Sequence, residues 1–176
     1  YFPDNRLLAE TFVHSGQWMV PNFTNWAPGT LTVTNGWLRI PSTGFRLTVT
    51  NGISLYGTNS QFHRLQFYDA SVTCGGDVLL KGGNLYFLSS GGPTASMFQC
   101  GGNLVLTNSA FYAVPVPNMV PFHNADLYVF AGQTNASTSN YGARVSVGMN
   151  VALATNCWIY PYSAATNSWI YPNAAS

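Results

Sequence analysis

From Leu31 the chain alternates apolar and hydroxyl-bearing residues, with Leu31 and Val33 on one side and Thr32 and Thr34 on the other. A period of two is the pattern of a β-strand with one buried and one wet face. Asn35-Gly36 then interrupts the alternation, both being residue types that tolerate the left-handed backbone of a tight bend, and Leu38 and Ile40 resume the apolar face. The hexapeptide Leu-Thr-Val-Thr-Asn-Gly recurs whole from Leu47 to Gly52. Its frame fits again from Leu65, Val78, Leu104, Leu127 and Val145, with Asp69, Gly82 and Asn108 among the residues at the bend. After the bend the apolar pair is Leu85 and Phe87 in one copy, whereas Ile53 and Leu55, or Val151 and Leu153, arrive one residue sooner. A slip of one flips every side chain, so the bends must differ by a residue or carry a bulge.

Strand-and-bend units that recur as near-identical rather than complementary copies predict an all-β fold, a single-stranded parallel β-helix or β-solenoid with irregular rungs of about 16–26 residues. The alternative is an antiparallel β-sandwich, because Asn-Gly between apolar alternations is also a hairpin signal. Residues 1–29 fall outside the frame and read as an N-terminal capping or docking segment. Residues 30–176 read as the solenoid, with a proline-rich loop at 114–121, where proline removes the donors a central strand needs. Asn35, Asn51, Asn108, Asn156 and Asn167 each follow Thr and, with Gly36 and Gly52, are expected at corners. Asn side chains stacked at a corner can hydrogen-bond along the pile as an amide ladder.

Composition narrows the setting. Charged residues make up 6% of the chain and the net charge is +1, against about a quarter charged in an ordinary soluble domain. No basic stripe is present to neutralise a phosphate backbone, which disfavours nucleic acid as a partner. No apolar run approaches the length of a membrane span. Thr, Ser, Asn and Gln must carry solubility, which suits an extracellular or fibrous surface. The sequence starts at Tyr1 and reads as a processed form or a piece of a longer chain. Of the three cysteines, Cys74 and Cys100 each precede Gly-Gly. If their segments stack, their Cα atoms stand about 4.8 Å apart, inside the disulfide window, so the pair reads as a disulfide or as a ladder of buried thiols. Cys157 is replaced by Ser168 in the second Thr-Asn-x-Trp-Ile-Tyr-Pro copy, which argues against a required ligand.

Candidate chemistry is sparse. Asp4, Glu10, Asp69, Asp77 and Asp126 are scattered, and His14, His63 and His123 follow no metal-ligand spacing. The glycine pairs lack the Lys-Ser/Thr of a phosphate loop and read as turns, so no cofactor, metal or catalytic residue is assigned. Aromatic residues form 15% of the chain. Trp18, Trp26, Trp158, Trp169, Tyr160 and Tyr171, with Met119, are candidates for subunit contacts or for stacking on sugar rings.

With Thr-Asn-Ser-Trp-Ile-Tyr-Pro and the preceding Tyr-Gly-Ala-Arg-Val-Ser-Val-Gly at Tyr141 to Gly148, the chain resembles the Asn- and Thr-rich parallel β-helix regions of large bacterial surface proteins. The likeness covers residues 30–172 and implies an extracellular structural or adhesive role, with no catalytic residues carried across. The stretch from Val145 to Tyr171 holds no charge, and an uncharged strand edge invites another chain. The leading expectation is a structural subunit or segment of an extracellular assembly, a filament, fibre or surface coat, built by self-association. A carbohydrate-binding or adhesin module is the alternative. A polysaccharide lyase or hydrolase using Asp69, Asp77 and Asp126 comes third, since pectin-lyase-like enzymes share the expected fold.

Overall fold

The chain crosses the molecule in successive passes. The computed structural model describes residues 12–19, 23–57, 63–89, 96–107, 109–110, 122–123, 125–133, 143–155, 157–165 and 168–170, and their regular structure is all β-strand. A first strand, β1 (Phe12–Met19), is followed by β2 (Asn25–Trp26) and the long β3 (Thr30–Ile40). The next pass holds β4 (Arg46–Val49), β5 (Gly52–Tyr56) and β6 (Arg64–Tyr68), and the one after it β7 (Ser71–Cys74), β8 (Asp77–Lys81) and β9 (Asn84–Leu88). Then come β10 (Ser96–Cys100), β11 (Leu104–Thr107), a short antiparallel pair β12 (Ser109–Ala110) and β13 (Phe122–His123), and β14 (Asp126–Gln133). The last pass is β15 (Ala143–Val147), β16 (Val151–Leu153) and β17 (Trp158–Ala165), against which β18 (Ser168–Ile170) folds back antiparallel.

Each strand pairs with its counterpart in the neighbouring pass, and these pairings are parallel. One sheet has five strands in the order β15-β10-β7-β4-β2. The other has eleven and is joined through β3, which pairs with β5 along Thr30–Thr34 and with β6 along Trp37–Ile40. Neither Asn-Gly forms a hairpin: the strands on either side of Asn51-Gly52 lie in different sheets, and β3 runs through Asn35-Gly36. Among the described residues, antiparallel pairing is confined to β12 with β13 and β17 with β18.

In-register pairing aligns like residues into columns. Leu31, Ile53, Val78, Leu104 and Val151 form one, and Leu38, Leu65, Leu85, Leu127 and Ile159 another. Trp26, Leu47, Val72, Phe98 and Val145 form the corresponding column of the five-stranded sheet. The period of two sends these residues inward, and the core lies between the sheets, where Phe98 meets Phe87 edge-on at 5.7 Å and Phe87 meets Phe67 at 6.5 Å.

The slip of one residue has a local cause. Burial along β3 alternates up to Val33, breaks at exposed Asn35, and resumes one residue out of phase at Gly36, Leu38 and Ile40. Asn35 has φ 48, and Gly82, at the same bend two passes later, has φ 70. A single left-handed residue supplies the extra step. At the other bend, Val49 to Ile53 keeps phase. There Gly75, Gly101 and Gly148 are needed for another reason: a Cβ on each would lie 2.5, 2.6 and 2.6 Å from a backbone carbonyl oxygen of the preceding pass. Gly75-Gly76 and Gly101-Gly102, expected as turns, stand at bends and also allow close backbone approach.

The hexapeptides beginning at Leu31 and Leu47 fall in different sheets, where Leu31 pairs with Ile53 and Leu47 with Val72. Every bend here is strand, corner, strand, so one local pattern serves two corners. Met97 faces both Ser71 and Arg144, so the pass between Met97 and Arg144 exceeds the expected upper bound of about 26 residues. Most of its extra length falls between β11 and β14, where β12 and β13 also lie. The N-terminal segment contributes β1, paired in parallel with β3, and β2, paired with β4. The proline-rich loop at 114–121 lies outside the described residues.

Candidate functional site

The last pass differs from those before it. Val151 and Leu153 end columns whose earlier members, Leu104 and Leu106 among them, are fully buried. Yet both are 50% exposed, Met149 is 67% exposed and Trp158 55%. These four are the exposed large apolar residues among the described side chains, and all belong to this one pass. β15 and β16 stand at the ends of their sheets' strand order, each paired on one side. Inward-facing residues meet solvent here because no further strand covers them among the described residues.

Two polar ladders lead to that end. At the bend before β8, β11 and β16, Asp77 Oδ1 accepts the backbone N–H of Asn103 at 2.7 Å and its side-chain amide at 3.0 Å. Asn103 Oδ1 accepts the same two groups from Asn150 at 3.3 and 3.0 Å. At the other bend, Asn84 Oδ1 accepts the Asp126 N–H at 3.2 Å and Asp126 Oδ1 accepts the Trp158 N–H at 3.1 Å. Each oxygen satisfies a backbone donor at the start of the next strand. Burial raises the pKa of Asp126, an effect offset in part by the Trp158 N–H and the Tyr128 hydroxyl.

Beside the second ladder runs an aromatic column. Tyr86 and Tyr128 stack at 4.5 Å and 3°, and Tyr128 and Tyr160 at 4.9 Å and 13°. The Arg64 guanidinium lies 5.2 Å from the Tyr86 ring and 5.6 Å from that of Trp37. Trp158 flanks Tyr160 at 6.4 Å. The Tyr128 hydroxyl donates to Asp126 Oδ2 at 3.4 Å, and burial, then the Asp126 charge, pushes its pKa well up.

The structure distributes the residues singled out from sequence over several places. Asn35 and Asn51 occupy different corners and do not stack; Gly36 is buried and Gly52 opens β5. The ladder falls instead on Asp77, Asn103 and Asn150, and the motifs Gly-Gly-Asp, Gly-Gly-Asn and Gly-Met-Asn carried the signal. Asn108, Asn156 and Asn167 lie outside the described residues, as do Tyr171 and Met119. Cys74 and Cys100 are in-register partners, with Val49 and Val147 continuing their column. Both are free thiols, both lie 3.5 Å from the Gly76 carbonyl oxygen, and burial raises the pKa of each. Trp26, a candidate for surface contact, is corrected to the core: it is 6% exposed and packs on Phe23 at 6.2 Å. Trp158 and Tyr160 come together at the open end, and the backbones of Trp18 and Trp169 lie in β1 and β18. Missed were Met149, Val151 and Leu153, whose exposure depends on their place in the stack, and Tyr86 and Tyr128, whose apolar–Tyr–apolar setting repeats that of Tyr160.

Asp69, Asp77 and Asp126 are not gathered. Asp69 follows β6, Asp77 opens β8 and Asp126 opens β14, each at a separate bend. Among the described residues no cluster of three or more His, Cys, Asp or Glu side chains could hold a metal ion. No family model, curated protein or solved structure matches the chain.

Proposed function

We propose that the chain is a parallel β-helix, or β-solenoid, module of an extracellular structural assembly that grows by end-to-end self-association. The observation that carries this reading is the final pass, where core columns end in exposed Val151 and Leu153 beside exposed Met149 and Trp158. Apolar area left open at one end of a stack favours another layer at about 25 cal/mol per Å² removed from water. Parallel pairing from pass to pass makes the two ends complementary by translation, a head-to-tail contact that does not close and so yields filaments. No charged residue occurs from Val145 to Tyr171 to block the edge. The low charge of the chain and its resemblance to Asn- and Thr-rich surface-protein regions support the extracellular setting.

Packing of Tyr86, Tyr128 and Tyr160 on one another weighs against the glycan-binding alternative, because a sugar stacks on an open ring face. Sedimentation velocity over a range of concentrations, with negative-stain electron microscopy, tests the proposal. Polymers of constant width should grow with concentration, and Leu153→Asp should abolish them while leaving the melting temperature within a few degrees. A wild-type chain that stays monomeric at high concentration, without filaments, overturns it.

A further inference from the structure

The register of β1 identifies what the open edge receives. Phe12 shares a column with Leu31 and Ile53, and the same column continues through Val78 and Leu104 to Val151. His14 shares that of Val33, which ends at Leu153. Across the bend, Gln17, Trp18 and Met19 share columns with Trp37, Leu38 and Arg39, which end at Trp158, Ile159 and Tyr160.

We propose that β1 of a second copy adds in parallel to the open edge of β16 and β17, with Phe12 in register with Val151 and Met19 in register with Tyr160. This rests on the self-association reading and specifies its contact. Three features of the fold favour a second copy as the occupant. First, β1 already spans both halves of the eleven-stranded sheet, pairing at 12–14 and again at 16–19, as the open edge requires at 151–153 and 158–160. Second, among the described residues β18 pairs with β17 from Ser163 onward, beyond the column of Met19, so the two strands do not compete. Third, neither β1 nor the stretch from Val151 to Ala165 contains Asp, Glu, Lys or Arg. Phe12 and Trp18 would extend apolar columns, and His14 is the polar member of the set.

Cross-linking tests the register. Val13 shares the column of Thr32, Ser54, Leu79, Val105 and Ala152, and neighbours in such a column stand about 4.8 Å apart, within disulfide range. Val13→Cys/Ala152→Cys, oxidised with glutathione disulfide, should give a ladder of covalent multimers on a non-reducing gel, reversed by dithiothreitol. The off-register pair Gln17→Cys/Ala152→Cys should give none. Wild-type hydrogen exchange supplies a readout independent of the variants' folding: on assembly, amides of 151–153 and 158–160 should slow by about tenfold or more, while those of 163–165 stay unchanged. Filaments that form without the first cross-link and without that protection overturn the register and leave self-association standing. A chain that never assembles overturns both.

Discussion

Asp126 sits under opposing influences. Partial burial disfavours its charge, while the Trp158 N–H and the Tyr128 hydroxyl favour it, and the net effect is a raised pKa. The folded protein therefore keeps this proton to higher pH than the unfolded chain does. Its contribution to stability is greatest below the unfolded pKa, declines as pH rises through the folded pKa, and is fully lost above it. Asp126→Asn retains an oxygen for the Trp158 N–H and removes the charge. The urea midpoint should rise at neutral pH and stay unchanged below the carboxylate range; an equal rise at both would point to packing instead. Single positions of this kind were partly legible. Asn35 at a bend was readable because few residue types accept positive φ, and its value of 48° fits that reading. The amide ladder was readable as a type of interaction but was expected on the wrong residues. Thr-Asn marks a bend, whereas stacking needs equivalent places in successive passes, which among the described residues are held by Asp77, Asn103 and Asn150 at one bend and by Asn84 and Asp126 at another.

At the scale of strands and bends, alternation located the inward residues because burial follows a period of two whichever sheet a strand joins. It could not say which sheet. Leu31 and Leu47 begin identical hexapeptides on different faces, since a short strand followed by a corner is the common unit of both. Pass length was illegible for a related reason: extra residues inserted at a bend, as between β11 and β14, leave the strand registers intact. The column at the other bend gives a contrast between adjacent residues. Gly101→Ala places a Cβ 2.6 Å from the Gly75 carbonyl oxygen, and backbone cannot yield as a side-chain tip does, so the cost should be about 1–3 kcal/mol. Cys100→Val, one residue earlier, follows the Val49 and Val147 of its own column and should cost less than about 1.5 kcal/mol. Denaturant midpoints at constant m-value compare the two. A large loss from Cys100→Val would reveal a role for the thiol beyond filling space.

For the molecule as a whole, each pass touches mainly its neighbours, so stability is set by the number of layers and by how the ends are finished. Middle strands β5, β6, β8 and β9 are paired on both sides, and β15 and β16 on one. Native-state hydrogen exchange of the unassembled chain should rank them accordingly, with β15 and β16 opening first and the middle strands only on global unfolding. Uniform protection from end to end would mean that the stack opens as one unit. Sequence reasoning marked Val145 to Tyr171 as an uncharged edge but missed the exposure of Val151 and Leu153, which look like any other inward pair and are exposed because of their position in the pile.

The tyrosine column has an optical consequence. Phenol rings stacked within 5 Å with nearly parallel planes, as Tyr86, Tyr128 and Tyr160 are, couple their electronic excitations. Such coupling adds an exciton contribution to the tyrosine circular dichroism, one that disappears when the rings separate. Trp158, 6.4 Å from Tyr160, is placed to collect that energy and emit in its stead. The protein thus carries its own spectroscopic gauge of layer alignment, and tyrosine emission would return once the layers slide out of step.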